Sequence, residues 1–319
     1  MSSINIPNSY PVELEAPDIS AYAPGNTGVP YMWSWAAAAP GPHAMVTALV
    51  HGNELCGAIA LDWLMRREVR PVRGRLSVGF LNVEAYARFD PADPNATRWV
   101  DEDMNRLWGA DVLASARDSV EMHRVREVQP LVAEADLLLD IHSMQRPSPP
   151  MMMAGWCDKG VELARKLGVP ALIVKDRGHK AGMRMRDHGA FGEESAGAAA
   201  VLIECGQHWE AAAGDLAIES TARFLVASGV VEAEVLDEAP DTRGPQEVWE
   251  VAEAVTIETD AFRFASAFTG GEVLAEAGTP IGYDGDRPVL TPHDNCLLVM
   301  PSQRLWPGQT AVRLARRAG

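Results

Sequence analysis

A histidine and a glutamate three residues apart lie where an apolar run gives way to a helical pattern. Residues 46–50 read as a strand, His51 follows it, and Glu54 falls in the first turn of the predicted helix. This spacing at such a junction can aim both side chains at one point, and Gly52 would supply the sharp turn between them. Histidine and carboxylate suit zinc, but two ligands do not complete a zinc site. The alternative is a capped helix start with an incidental histidine.

Two further apolar runs also end in polar residues. Residues 136–141 lead into His142, and residues 199–203 lead into Glu204. Catalytic zinc takes three protein ligands and keeps a fourth position for water, which His51, Glu54 and His142 would satisfy. Glu204 is then left as a base that takes the proton of an activated water and returns it to a leaving amine. The alternatives are a strand-end histidine satisfied by hydrogen bonds and an ion-paired or helix-capping carboxylate.

Composition excludes several classes of function. The chain has 319 residues, 47% of them hydrophobic, with a formal net charge of -16 and a pI near 4.9. Such acidity argues against partnership with nucleic acid or an anionic membrane surface. No apolar run approaches the roughly 20 residues that span a bilayer, and no secretory signal is visible. Four cysteines without a C-x-x-C pair are typical of reduced thiols, so we expect a cytoplasmic protein.

The pattern of elements predicts an α/β fold with a mixed central sheet flanked by helices. Apolar strands alternate with helical segments through residue 228, an order that favours a largely parallel or mixed sheet covered on both faces. Residues 232–245 are acidic and rich in proline and glycine, as domain boundaries often are. We therefore predict a catalytic domain over residues 1–238 and a small all-β domain over residues 239–319. The segment 110–135 is predicted to be helical, with Pro130 ending or kinking it.

Four segments taken in order resemble the succinylglutamate desuccinylase and aspartoacylase family of zinc carboxypeptidase-like hydrolases. They are HGNE at residues 51–54, TRWVDEDMNR at 97–106, DIH at 140–142 and IECG at 203–206. The resemblance extends over most of the chain, including the β-rich tail. Each motif alone is weak, but their combination and order are fairly specific.

The resemblance implies one zinc ion per chain and hydrolysis of a small N-acyl amino acid to a carboxylate and a free amine. His51, Glu54 and His142 would bind the zinc, and Glu204 would be the general base and then the acid. Arg98 would polarise the scissile carbonyl and stabilise the oxyanion. Asn105 and Arg106 would hold the substrate carboxylate, the arginine through a bidentate pair.

One departure concerns the acyl group. The aspartoacylase branch has a further substrate-binding arginine shortly before the catalytic glutamate, whereas residues 192–197 here are acidic and small. Arg146, Arg184 and Arg186 are candidates to replace it from neighbouring loops. The C-terminal domain is expected to line the mouth of the site and to exclude larger peptides.

Three alternatives stay open on the sequence. The first is a metallocarboxypeptidase acting on a short peptide, and the second is a non-catalytic metal-dependent binding module. The third is a cysteine hydrolase built on Cys205 and His208, although Cys205 should point away from Glu204 on the same strand and act as a packed thiol. The sequence is compatible with a homo-oligomer but does not fix the oligomeric state.

Overall fold

The computed structural model describes residues 10–178 and 181–318. Its strands in chain order are β1 (Met32–Ala36), β2 (His43–Ala48), β3 (Arg75–Phe80), β4 (Leu137–Met144), β5 (Met151–Met153), β6 (Leu172–Lys175), β7 (Ala199–Gln207), β8 (Glu247–Thr256), β9 (Phe262–Phe264), β10 (Val273–Leu274), β11 (Pro280–Asp284), β12 (Arg287–Leu290), β13 (Cys296–Val299) and β14 (Thr310–Arg317). The α-helices are α1 (Leu55–Arg66), α2 (Val83–Tyr86), α3 (Ala110–Leu113), α4 (Val120–Ala133), α5 (Asp158–Leu167) and α6 (Ala211–Ser228).

The described residues form an 11-stranded mixed sheet in the order β1-β3-β2-β4-β7-β5-β6-β8-β14-β13-β10. Strands β3, β2, β4 and β7 are mutually parallel where they pair, and β5 runs antiparallel to β7. The apolar runs that predicted buried strands are β2, β4 and β7, whose residues are almost entirely buried. The carboxyl ends of these three neighbouring strands meet at one edge of the sheet, where α/β proteins place their sites.

Alternate side chains of the strands point to opposite faces of the sheet. Both faces carry apolar side chains, and helices pack against each of them. Leu139 and Ile141 of β4 pack in one hydrophobic cluster with residues of α1, α5 and α6. Leu138 packs in a second cluster with apolar residues of α4. The predicted fold class, a mixed central sheet flanked by helices with a small all-β part at the C-terminus, is therefore confirmed, and the C-terminal part contains a separate small antiparallel sheet.

The C-terminal strands divide between two sheets. β8 pairs in parallel with β6, and β14, β13 and β10 follow it antiparallel, so this part of the tail extends the central sheet. Strands β9, β11 and β12 form a separate three-stranded antiparallel sheet. The division of the chain at residue 239 stays a prediction.

One helical prediction needs adjustment. The segment 110–135 contains the short helix α3 and the longer helix α4, and Pro130 lies inside α4 without ending it. A proline near the end of a helix removes only one backbone hydrogen bond, and Val128 and Val132 still hold this turn against the sheet. No helix in the described ranges is long and apolar enough to cross a membrane.

Candidate active site

His51, Glu54 and His142 converge at the carboxyl ends of β2 and β4. Their ligand atoms all lie within 4.8 Å of one another, and all three side chains are buried. Glu54 lies between the histidines: its Oε1 is 2.7 Å from His51 Nδ1 and its Oε2 is 2.9 Å from His142 Nδ1. The structure thus brings together the three residues that the sequence selected as metal ligands.

The local backbone explains how His51 and Glu54 reach one point. Leu49, just after β2, has a φ of 62°, a left-handed conformation that a branched residue rarely adopts and that clusters at functional sites. Glu54 is the N-cap of α1, one residue before the helix and not in its first turn. Gly52 does not supply the turn through a positive φ. A Cβ there would lie 2.5 Å from the backbone of Ala85 and Tyr86, so its role is close packing against α2.

Both histidines have a carboxylate on the nitrogen that faces away from Glu54. His142 Nε2 donates to Asp140 Oδ2 at 2.8 Å, and Thr47 Oγ1 donates to Asp140 Oδ1 at 2.9 Å. His51 Nε2 lies 2.9 Å from Asp103 Oδ1. Carboxylates in this position orient metal-binding histidines and raise their basicity. The donor set and its supporting carboxylates therefore fit a catalytic zinc ion.

Glu204 is in register with His142 across β4 and β7, which places it beside the three ligands. Its Oε2 is buried and has no hydrogen-bond partner among the described residues. Burial raises the pKa of this carboxyl to about 8, against the opposing effect of His142. A carboxyl group with such a pKa can both accept and hold a proton near neutral pH.

Arg98 lies directly against the ligand cluster. Its Nη1 donates to Glu54 Oε1 at 3.1 Å, and its Nη2 lies 3.0 Å from His51 Nε2. The guanidinium carbon is 5.4 Å from the centre of the Trp99 ring. Arg98 is therefore held as a cation beside the three residues, as its predicted role of polarising a carbonyl group requires.

Asn105 and Arg106 line the same cavity from a 3₁₀ turn. Asn105 Oδ1 accepts a hydrogen bond from the backbone N–H of Met185 at 3.0 Å, which fixes the side chain by its oxygen and leaves its amide nitrogen for another acceptor. Arg106 Nη1 donates to the backbone oxygen of Asn105 at 2.7 Å. Although burial opposes ionisation of Asp103, Arg106 and His51 hold its pKa well below the usual range.

All seven residues selected from the sequence line one cavity of about 300 Å³. Residues 300–304, 309, 310 and 313 also line it, so the C-terminal part of the chain contributes to its mouth as expected. The cavity wall is strongly cationic despite the acidic chain. Its arginines are Arg98, Arg106, Arg146, Arg184, Arg304 and Arg313.

The three arginines considered for the acyl group differ in position. Arg146 and Arg184 line the cavity, whereas Arg186 is buried between Asp176 and Asp187 and lines a different one. Arg184 Nη1 is 3.0 Å from Asp176 Oδ2, and Arg313 Nε is 3.9 Å from the same oxygen. Arg184 and Arg186 belong to the basic segment of residues 175–188, of which residues 179 and 180 lie outside the described residues.

The cysteine-based alternative gains no support from the geometry. Cys205 is buried in the apolar cluster next to Cys56, and burial raises the pKa of its thiol well above the ordinary value. His208 bonds with Ser143 instead, at 2.8 Å between Nδ1 and Oγ.

Sequence reasoning missed several residues around the cavity. Asp103 was visible as an acid inside a matched motif, and Asp140 as an acid two residues before His142 on the same strand. His208 was considered only as a partner of Cys205, and Arg304 and Arg313 gave no signal of this kind, because only the fold brings the C-terminal part of the chain to the ligand cluster.

A comparison with protein-family models matches residues 40–228 to the succinylglutamate desuccinylase/aspartoacylase catalytic domain. No protein with a curated function matches the sequence. Similar solved structures include a succinylglutamate desuccinylase from Vibrio parahaemolyticus, 15% identical with a TM-score of 0.67, covering 91% of this chain and 87% of that one.

Two other similar structures have comparable coverage. A succinylglutamate desuccinylase/aspartoacylase from Rhodobacter sphaeroides is 17% identical, with a TM-score of 0.63 over 90% of this chain and 89% of that one. The product-bound ectoine utilization protein EutE (DoeB) from Ruegeria pomeroyi is also 17% identical, with a TM-score of 0.59 over 89% and 87%. At these identities the likeness shows the fold, and the family model covers more than half of the chain. The chain belongs to the succinylglutamate desuccinylase/aspartoacylase family.

Proposed function

We propose that this protein is a zinc-dependent amidohydrolase that cleaves a small N-acyl amino acid to a carboxylate and a free amine. One observation carries the proposal. An unpartnered buried carboxyl group, Glu204, lies in register with His142 beside a three-residue metal-binding set, in a cavity lined by arginines. Membership of a deacylase family supports amide hydrolysis as the reaction.

His51, Glu54 and His142 would hold the zinc ion. When bound, zinc supplies Lewis acidity, which lowers the pKa of water and polarises a carbonyl group. Asp140 and Asp103 keep the two imidazole rings oriented toward Glu54, through the nitrogens that do not face it.

Glu204 transfers the proton of the attacking water to the leaving amine. Its Oε2 takes a proton from the attacking water and then delivers it to the nitrogen of the leaving amine. Because burial raises the pKa of the carboxyl group to about 8, the proton can reside on Glu204 between these two transfers. The absence of a competing hydrogen bond within the described chain leaves this oxygen available for the exchange.

The arginines recognise charge on the substrate. Arg98 donates to the carbonyl oxygen as it becomes negative. Asn105 and Arg106 bind the amino-acid carboxylate, for which the amide nitrogen of Asn105 and the fork of Arg106 are suited. A cavity of about 300 Å³ with a wall of six arginines favours a small anionic substrate over a long peptide. The four buried, unpaired cysteines support a reducing compartment such as the cytoplasm.

The test is a panel of amides offered to zinc-loaded and chelated protein. N-succinylglutamate, N-acetyl amino acids and dipeptides would be compared by release of free amine, with the liberated acid or amino acid identified. We expect hydrolysis of at least one N-acyl amino acid, loss of it on chelation, and recovery with zinc. Failure on every N-acyl amino acid, faster turnover of dipeptides, or activity that survives metal removal would contradict the proposal.

A further inference from the structure

A bulge at the end of β7 places one histidine at the ligand cluster. The pairing with β4 passes from His142–Glu204 to Met144–Gln207, so three residues of β7 span two of β4. Gly206 within this bulge has a φ of 119°, a conformation that glycine adopts readily. Bulges near active sites redirect the side chains that follow them. Here the redirected residue is His208, whose backbone N–H donates to Met144 O at 2.8 Å.

The imidazole of His208 is fixed at one nitrogen and open at the other. Nδ1 is 2.8 Å from Ser143 Oγ, and the backbone N–H of Ser143 donates to Glu54 Oε2 at 3.2 Å. The ring is only 1% exposed, yet it lines the cavity that contains the metal-binding set. The side-chain hydrogen bond of His208 is made through Nδ1, which leaves Nε2 as the ring nitrogen that can serve a ligand in the cavity.

Burial favours the neutral form of this ring. Burial lowers the pKa of His208 to about 3, with Arg98 among the charges that add to the effect. A neutral imidazole has one donor and one acceptor nitrogen. When the Ser143 hydroxyl donates to Nδ1, the proton lies on Nε2 and the ring presents a single N–H donor to the cavity.

We propose that His208 is a further catalytic residue, whose Nε2–H donates a hydrogen bond to the scissile carbonyl oxygen together with Arg98. This assignment rests on the proposed amide hydrolysis. A neutral donor stabilises the negative charge that develops on the carbonyl oxygen but, unlike a second cation, does not form an ion pair with Glu204. It therefore complements Arg98. Ser143 has the positioning role of keeping the imidazole in the donating tautomer.

The test compares His208→Ala, His208→Gln and His208→Asn with the wild-type protein on the fastest N-acyl amino acid of the panel. We expect His208→Ala to lower kcat by about 10²–10³, the usual effect of deleting one oxyanion donor, with KM changed less than threefold. Zinc content, measured by metal analysis, should be unchanged. At least one of the amide variants should have a kcat about tenfold higher than that of His208→Ala, since an amide N–H can replace the imidazole donor.

His43→Ala is the matched control for deletion of a buried histidine. His43 is also buried and also bonds a serine, with Nε2 2.8 Å from Ser77 Oγ, but it does not line the cavity. Its kcat should stay near the wild-type value. The inference is overturned if His208→Ala keeps kcat within threefold, if its loss of kcat follows loss of zinc, or if neither amide variant recovers activity. An inactive wild-type protein would instead refute the proposed function.

Discussion

At the scale of single residues, the site depends on carboxylates in different electrostatic surroundings. Asp103 is held ionised by Arg106 and His51, whereas burial raises the pKa of Glu204. Divergent environments of this kind separate groups that orient ligands from groups that exchange protons. We therefore assign the orienting role to Asp103 and the proton transfer to Glu204.

Glu204→Gln should bind zinc normally, and its kcat should be lower by a factor of about 10²–10⁴, because the amide cannot accept the proton of water. His142→Ala should instead lose the zinc itself. Metal analysis alongside steady-state kinetics separates the two effects. Glu193→Gln, at an exposed position just after a 3₁₀ helix and outside the cavity, is the control and should match the wild type. Full activity of Glu204→Gln would disprove its role as the base.

Some of this residue-level arrangement is predictable from the sequence. His51, His142 and Glu204 each follow an apolar run, and parallel strands bring their carboxyl ends to one edge, so their convergence can be foreseen. The orientation of His208 cannot, because it depends on a bulge that shifts the register between Glu204 and Gln207. A bulge of one extra residue leaves no clear mark on the pattern of apolar residues.

At the scale of elements, the contact between Gly52 and α2 fixes the segment that carries two of the proposed metal ligands. The backbone of α2 approaches Gly52 so closely that no side chain fits between them. Sequence reasoning foresaw the need for glycine but assigned it to a turn. Close approach by a helix 30 residues later in the chain is a tertiary feature, which the local sequence does not encode.

Gly52→Ala should destabilise the protein by about 1–3 kcal/mol, as overpacking of a tight contact does. We also expect weaker zinc binding, since His51 and Glu54 flank the displaced residue. Thermal unfolding and zinc titration measure the two effects. Gly197→Ala, where an added Cβ meets nothing within 4 Å, should leave both unchanged. Unaltered zinc affinity in Gly52→Ala would argue that the loop position does not depend on this contact.

At the scale of the whole molecule, the arginine-lined cavity contrasts with the negative net charge of the chain. The chain has a net charge of -16, but six arginines converge on one cavity. Four of these arginines pair with carboxylates, whereas Arg146 and Arg304 have no carboxylate within salt-bridge distance in the described chain. The guanidinium carbon of Arg304 is 4.9 Å from the Trp99 ring centre. The residues that form this basic pocket come from widely separated segments of the chain, from Arg98 to Arg313.

Arg304→Gln should lower kcat/KM for an N-acyl amino acid by about tenfold or more, because a hydrogen bond to a charged group contributes roughly 1.5–3 kcal/mol. The loss should appear mainly in KM and shrink at high salt. Steady-state kinetics over a range of ionic strength tests this. Arg287→Gln, an exposed arginine in the same C-terminal region, is the control. Equal KM values for Arg304→Gln and the wild type would remove Arg304 from substrate recognition.

The continuity of the central sheet limits how the cavity can open. Backbone pairing runs from β7 through β5 and β6 to β8 and β14, so the strand that carries Glu204 and the strand that carries Arg313 belong to one hydrogen-bonded ladder. A rigid-body swing of the C-terminal part would have to break the pairing between β6 and β8. We therefore expect substrate to enter without a swing of the C-terminal part, because backbone pairing sets the spacing between Glu204 and Arg313.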